Sequence, residues 1–306
     1  MYALIPIPSP FSEDDAEARS TQDLLKEVRK IEIKTKDISN HLFSGEYHSA
    51  FKGRGMSFSE VREYQYGDDV RNIDWNVTAR FNEPYIKVYE EERELTVMLL
   101  IDVSESSFFG TKKQLKNELI TNFCGVIAFS AINNNDKIGV IFFSEKIEKF
   151  IPPKKGKSHV LRIIRELLAF KPSASGTDID QALRYFSNVM KKKCITFLIS
   201  DFMDDGYEHS LKFTARRHDL VGVHVYDPWE KNLPTIGLVR ARDAETGETA
   251  WMDTGSKNVR NKQYAHFREN EDRAREVFRR AGSDLLSIQT DRPFINALMA
   301  FFKKRN

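Results

Sequence analysis

Two cysteines in 306 residues are too few for a disulfide framework, and neither has Cys or His partners at zinc-ligand spacing. Cys124 and Cys194 sit inside apolar runs, which predicts buried free thiols in a reducing compartment. No apolar stretch approaches the roughly 20 residues that span a bilayer; the longest, around residues 99–103, has the length of a strand. The N-terminus lacks a basic leader region and carries proline, so no signal peptide is expected and a cytoplasmic protein is. Charge of one sign is also missing. Lys and Arg number 47 and Asp and Glu 45, a net +2, which argues neither for nor against nucleic acid. Most basic clusters (154–157, 191–193, 216–217, 279–280 and 303–305) fall near expected helix C-termini, where cations complement the macrodipole; nucleic acid is not the expected partner. G-x-x-x-x-G-K-[ST], H-E-x-x-H and G-x-S-x-G are all absent, and the seven histidines are scattered.

What is present is an ordinary globular composition, 41% apolar and 30% charged, enough for one large core with a smaller appendage. Residues 1–20 are acidic and Pro-containing and predict a flexible N-terminus. Leu24, Leu25, Val28 and Ile31 recur at helical spacing within 21–43. The segment 45–94 is dense in paired charge, with a basic Gly53/Gly55 loop and strand-like alternation over 85–89. From residue 95 to 306, strand and helix signals alternate. Strands are predicted at 95–101, 137–144, 147–151, 194–200, 220–226 and 284–288. Helices are predicted around 115–127, 160–168, 178–192 and 207–217, then as a long charged segment carrying Tyr264, Phe267, Ala274, Val277 and Phe278, and last after Asp291 and Pro293. The interruption at 237–254 reads as a hairpin turning at 244–247. This rhythm implies an α/β fold: a mostly parallel sheet with helices on both faces, plus a small β-rich N-terminal appendage (21–94) and an inserted β-hairpin.

In such a sheet, ligands bind at the carboxyl ends of strands, near the point where strand order reverses. The first buried strand ends in Asp102-Val103-Ser104-Glu105-Ser106, and the strand at 194–200 ends in Ser200-Asp201. Between them, Gly176-Thr177-Asp178 opens a helix. Two carboxylates and three hydroxyls are hard oxygen donors and suit Mg²⁺, with Mn²⁺ or Ca²⁺ as the other candidates. Short Ser and Thr ligands leave a coordination position for an incoming carboxylate. The bland alternative makes Ser104 and Thr177 helix N-caps and Asp102 a satisfied strand-end carboxylate.

The D-x-S-x-S pattern at 102–106, followed by Thr177 and Asp201, resembles the metal-ion-dependent adhesion site of von Willebrand factor A domains. Asp102, Ser104, Ser106, Thr177 and Asp201 match that site one for one. A wider resemblance rests on Gly53-Arg54-Gly55-Met56-Ser57-Phe58, Val61-Arg62-Glu63-Tyr64, Gly67-Asp68-Asp69, Arg71, Ile73-Asp74-Trp75 and Ala79-Arg80. With Asp227-Pro228, Leu233-Pro234, Asp243 and Thr246-Gly247, it is similar to the bacterial family catalogued as domain of unknown function number 58. That resemblance implies a von Willebrand A-like domain and association with MoxR-type AAA+ ATPases as an accessory or adaptor. Many relatives carry N-terminal membrane helices, a feature this sequence does not show.

Arg62, Asp68, Asp69, Arg71, Asp74 and Arg80 have two readings. In one, they pair among themselves and hold the appendage on the A domain, with Trp75 as a packing anchor. In the other, they and Trp75 form a recognition surface for the ATPase. The functional expectation is a non-enzymatic, Mg²⁺-dependent interaction module that captures a carboxylate of a protein partner. The main alternative is a metal-dependent hydrolase using Asp102 and Asp201; a haloacid dehalogenase-type phosphatase would need Asp where Ser104 stands. A nucleic-acid-binding protein is the minor alternative.

Overall fold

The apolar run at 95–101 becomes a strand buried from Val97 to its end, because helices cover both its faces. The computed structural model describes residues 4–6, 26, 28–32, 56–91, 94–108, 110, 115–170, 176–243 and 249–305. In chain order the elements are β1 (Leu4–Pro6), β2 (Met56–Glu63), α1 (Trp75–Phe81), β3 (Tyr85–Glu91), β4 (Thr96–Asp102), α2 (Lys116–Asn133), β5 (Lys137–Phe143), β6 (Ile147–Lys154), α3 (Lys157–Ala169) and α4 (Ile179–Val189). They continue with β7 (Ile195–Ser200), α5 (Glu208–Arg217), β8 (Asp219–Tyr226), α6 (Pro228–Lys231), β9 (Leu238–Asp243), β10 (Thr249–Asp253), α7 (Lys257–Ala281), β11 (Asp284–Gln289) and α8 (Phe294–Arg305).

The main sheet has the order β11-β8-β7-β4-β5-β6. Every pairing in it is parallel except that of β6, which returns antiparallel along β5. Strand β4 lies in register with both neighbours, Leu99 opposite Val140 on one side and Phe197 on the other. Its side chains alternate between two cores, as period-2 geometry demands. Val97, Leu99 and Ile101 pack with Phe123, Val160, Ile163, Leu298 and Phe302 of α2, α3 and α8. Met98 and Leu100 pack with Leu183, Phe186, Leu211 and Phe278 of α4, α5 and α7. Each such fully buried side chain contributes roughly 1.5–3 kcal/mol.

Close approach is set by glycine at one position in β8. A Cβ on Gly222 would lie 2.4 Å from the Phe278 ring, so only glycine lets α7 seat that ring on the sheet. Helix α2 departs from the one-stripe expectation, since nearly every residue from Leu119 to Ala131 is buried. Leu115, expected on that stripe, is the partly exposed N-cap.

The hairpin expected within 237–254 is β9 and β10, paired antiparallel with Trp251 opposite Arg240. Its predicted turn at 244–247 lies outside the described residues. Within the N-terminus expected to be flexible over 1–20, Leu4–Pro6 pairs antiparallel with the other edge of β9, completing a three-stranded sheet. An open strand edge presents unpaired N–H and C=O groups, and a proline is tolerated on the strand that covers it. The rest of 1–20 lies outside the described residues, as does the Gly53/Gly55 loop. Of the helix expected from residue 21, positions 28–32 are helical and Val28 joins the core on the α2 side.

The appendage is a two-stranded antiparallel ribbon, β2 with β3, bulged between Phe58 and Glu60. A 3-10 turn at Val70–Asn72 and helix α1 lie between its strands. Among the described residues no helix is long and apolar enough to cross a membrane.

Candidate metal centre

Strand β4 is the switch point of the sheet: β5 lies on one side of it and β7 on the other, so loops leaving their carboxyl ends diverge and open a crevice. Asp102 is the last residue of β4 and only 1% exposed. Its Oδ1 accepts from the Ser104 N–H at 3.0 Å and its Oδ2 from Ser200 Oγ at 2.7 Å. Thr177 Oγ1 donates to the same carboxylate, 3.3 and 3.4 Å from its two oxygens. Ser104 Oγ lies 3.1 Å from Ser106 Oγ. Asp102, Ser104, Ser106 and Thr177 therefore form one hydrogen-bonded cluster, and the Asp201 carboxylate lies close enough to act on Asp102 through its charge.

Local folding explains why each points inward. Ser107 Oγ donates to the Asp102 carbonyl at 3.0 Å and the Ser107 N–H to the Ser104 carbonyl, which curls the D-x-S-x-S loop back over the strand end. Asp178, not Thr177, is the N-cap of α4; its side chain accepts from the Gln181 N–H. Thr177 is thereby left for the cluster. After Asp201 the chain turns sharply, with Phe202 in the left-handed region at φ 54°. That conformation is costly for a bulky residue and is held by complete burial of the ring and by a bond from the Phe202 N–H to Ser200 Oγ.

Four neighbours carry roles that the sequence pattern did not single out. Ser200 bonds Asp102, as above. Lys116, the first residue of α2, is 1% exposed, and its Nζ lies 3.0 Å from Asp201 Oδ2 and 2.7 Å from Glu230 Oε1. Glu230 completes a capping box at α6, its Oε2 accepting from the Asp227 N–H at 2.7 Å. His224, near the end of β8, is buried with its Nδ1 unpartnered. A lysine opening an otherwise buried helix was the one available signal, and it reads as an ordinary solvated N-terminal residue until the tertiary structure encloses it.

Burial, and then the charge of Asp201, push the Asp102 carboxyl up to about 6, against the bonds from Ser200 and Ser104. Burial alone would raise Asp201 as well, but the Lys116 ammonium and the Ser106 hydroxyl hold it below the usual carboxylate range. Burial and Asp201 raise Glu230, an effect the ammonium opposes. For Lys116 the two carboxylates outweigh desolvation, so it stays protonated. Burial drives His224 down to about 4 and keeps it neutral. With its three carboxylates ionised and one ammonium, the cluster carries two net negative charges in a largely water-excluded place.

That charge and the donor chemistry fit a hard divalent cation. Asp102, Ser104, Ser106, Thr177 and Asp201 would hold it, through oxygen alone. Among the described residues no three carboxylate, imidazole or thiolate groups are disposed to hold one ion between them. The fit is therefore to a hydroxyl-rich, water-retaining shell of the kind Mg²⁺ prefers, and not to zinc.

The charged appendage residues pair with one another. Arg62 makes a bidentate pair with Asp68, both bonds 2.8 Å. Asp69 accepts from Arg71, and Asp74 caps α1 while pairing with Lys87 at 3.4 Å. These pairs close the appendage on itself and do not tie it to the large domain. Arg80 is exposed in the last turn of α1. Trp75, expected to be a packing anchor, is 71% exposed, because α1 has only seven residues and no buried face.

A mostly parallel sheet covered on both faces, with the D-x-S-x-S loop, Thr177 and Asp201 at the carboxyl ends of β4 and β7, defines a three-layer α/β protein. The chain belongs to the family of proteins of unknown function DUF58, whose pattern matches residues 60–274. It is 27% identical over 281 residues to Uncharacterized protein Rv1480 of Mycobacterium tuberculosis, covering 91% of this chain and 88% of that one. To Uncharacterized protein MAV169 of Mycobacterium avium it is 27% identical over 158 residues, 51% of this chain and 93% of the relative. Among solved structures it is similar to an aerotolerance-related membrane protein from Bacteroides fragilis (TM-score 0.45, 15% identity, 69% of this chain and 98% of that one). The SpRpn10 VWA domain is more distant (TM-score 0.37, 11% identity, 67% of this chain and 94% of that one).

Proposed function

We propose that this protein is a non-enzymatic, Mg²⁺-dependent protein-interaction module that serves as an accessory of a MoxR-type AAA+ ATPase. The observation that carries the metal reading is that the fold gathers Asp102, Ser104, Ser106, Thr177 and Asp201 at the strand ends in one largely shielded, negatively charged place. The ATPase as partner rests on the family resemblance alone. When bound, a divalent cation would supply a Lewis-acidic position for an Asp or Glu of the partner. The residues of the chain do the rest. Asp102 and Asp201 neutralise the ion, while the three hydroxyls bind it without adding charge and so leave it electrophilic toward a third carboxylate.

A hydrolase reading requires a free carboxylate to activate water. Here Asp201 is engaged by Lys116, and Asp102 by Ser200, Ser104 and Thr177, which favours holding over proton transfer. The test is a calorimetric Mg²⁺ titration of the wild type beside Asp102→Ala. Saturable one-site binding that disappears in a folded Asp102→Ala protein supports the reading, and a pull-down of the ATPase that collapses in chelator extends it. Equal heats in both proteins would sink it.

A further inference from the structure

The cluster described above already contains a cation. The Lys116 ammonium is enclosed by the fold, bonded to Asp201 on one side and to Glu230 on the other. Neither partner is free to carry it away. Glu230 is fixed through both oxygens, Oε1 to Lys116 and Oε2 to the Asp227 N–H, and its carbonyl accepts from Gln263 Nε2 of α7 at 3.1 Å. Asp227 is itself fixed: its Oδ1 accepts from the Trp229 N–H and its Oδ2 from Thr290 Oγ1 at 2.6 Å. The ammonium is thus held beside the pocket by the β8–α6 corner and by the start of α2, and it shares Asp201 with whatever cation Asp102 and the hydroxyls bind.

Resting on the metal reading above, we propose that Lys116 is a resident counter-cation of the pocket. It is a positioning residue whose fixed charge orients Asp201 and sets how tightly the pocket takes a divalent ion. Without Lys116, the charge around the pocket would be −3, with Glu230 set back behind Asp102 and Asp201, and a divalent ion would be bound more tightly. With it, the charge is −2 and the ion stays exchangeable, as a docking site that releases its partner requires. Glu230 acts in the opposite sense, through Lys116 and not as a ligand. It offsets the ammonium and keeps Lys116 from repelling the ion altogether. Interactions of this kind are strong in a low-dielectric surrounding and scarcely screened by salt.

The experiment is a Mg²⁺ and Mn²⁺ titration by calorimetry, with thermal unfolding with and without metal, on the full chain. The variants are Lys116→Met, Glu230→Gln, the double variant Lys116→Met/Glu230→Gln, and Asp102→Ala. Lys116→Met is expected to bind about tenfold or more tightly than wild type and to gain more in melting temperature from added metal. Glu230→Gln is expected to bind several-fold more weakly, and the double variant to return towards wild type. If Lys116→Met does not fold, the double variant compared with Glu230→Gln carries the test, with the double variant about tenfold tighter. Affinities that are equal in each of these comparisons would overturn the role of Lys116 while leaving the metal reading intact. Metal taken by Lys116→Met but not by wild type would mean that the ammonium stands in the ion's place, which supports the counter-cation and overturns the proposed Mg²⁺ dependence. Folded proteins that take no metal in any form would overturn both.

Discussion

Two regions of this molecule are rich in opposite charges, the ribbon appendage and the crevice above β4, and the same chemistry does different things in them. In the appendage Arg62 and Asp68 form an ideal bidentate pair, yet their side chains are 35% and 20% exposed. In the crevice Lys116 and Asp201 make a single contact at 3.0 Å, with side chains 2% and 10% exposed. Water competes for the first pair and hardly reaches the second. Geometry alone would rank them in the wrong order; the medium decides how much each contact is worth.

Breaking each pair on one side tests that comparison most directly. Lys116→Met, which leaves two buried carboxylates uncompensated, is expected to cost about 3–5 kcal/mol of unfolding free energy without metal. Arg62→Met should leave the urea midpoint nearly unmoved, since solvent takes over Asp68. Comparable losses in both would mean that the appendage is not independently solvated.

The dry packing that creates the low-polarity crevice can be perturbed without touching a charge. Gly222→Ala forces a methyl group into the Phe278 ring and should cost about 1–3 kcal/mol, read as a lower urea midpoint with an unchanged slope. No loss would mean that α7 shifts freely on the sheet.

A smaller effect sharpens the comparison from a buried group with no ionic partner. His218, at the end of α5, has Nδ1 3.2 Å from Cys194 Sγ and its Nε2 unsatisfied, and burial lowers it to about 4. The unfolded chain therefore binds a proton near its ordinary value of about 6.5 that the folded chain refuses. Stability from His218 is complete above that value and is lost as pH falls from about 6.5 towards 4. Asp136 and Asp204, both raised to about 6 by burial, have the opposite sign: their contribution fades as pH rises from about 4 to 6. The wild-type profile is thus a difference of opposed slopes. His218→Phe should reduce the acid-side slope by up to one proton, about 1.4 kcal/mol per pH unit; an unaltered profile would show that this histidine does not titrate in that window.

The sequence by itself determined the α/β alternation, because a strand covered on both faces has to be continuously apolar, and runs such as 95–101 and 194–200 have few other uses. It also singled out five oxygen-bearing residues that the fold gathers at the strand ends. A D-x-S-x-S loop, a Thr before a helix and an Asp after a strand all fall where the sheet edge must bring loops together. Tertiary structure alone decided the rest. Burial, not residue type, turned Lys116 from a solvated N-terminal lysine into an enclosed ammonium, and brought Glu230 from far along the chain to meet it. Trp75 is a tryptophan that no neighbouring element covers, so it stays exposed where its size suggests a core. Leu4–Pro6 became a strand because β9 had an edge to fill. Local patterns encode what a residue does to its own backbone and its near neighbours; which charges lose their water depends on chain segments that meet only after folding.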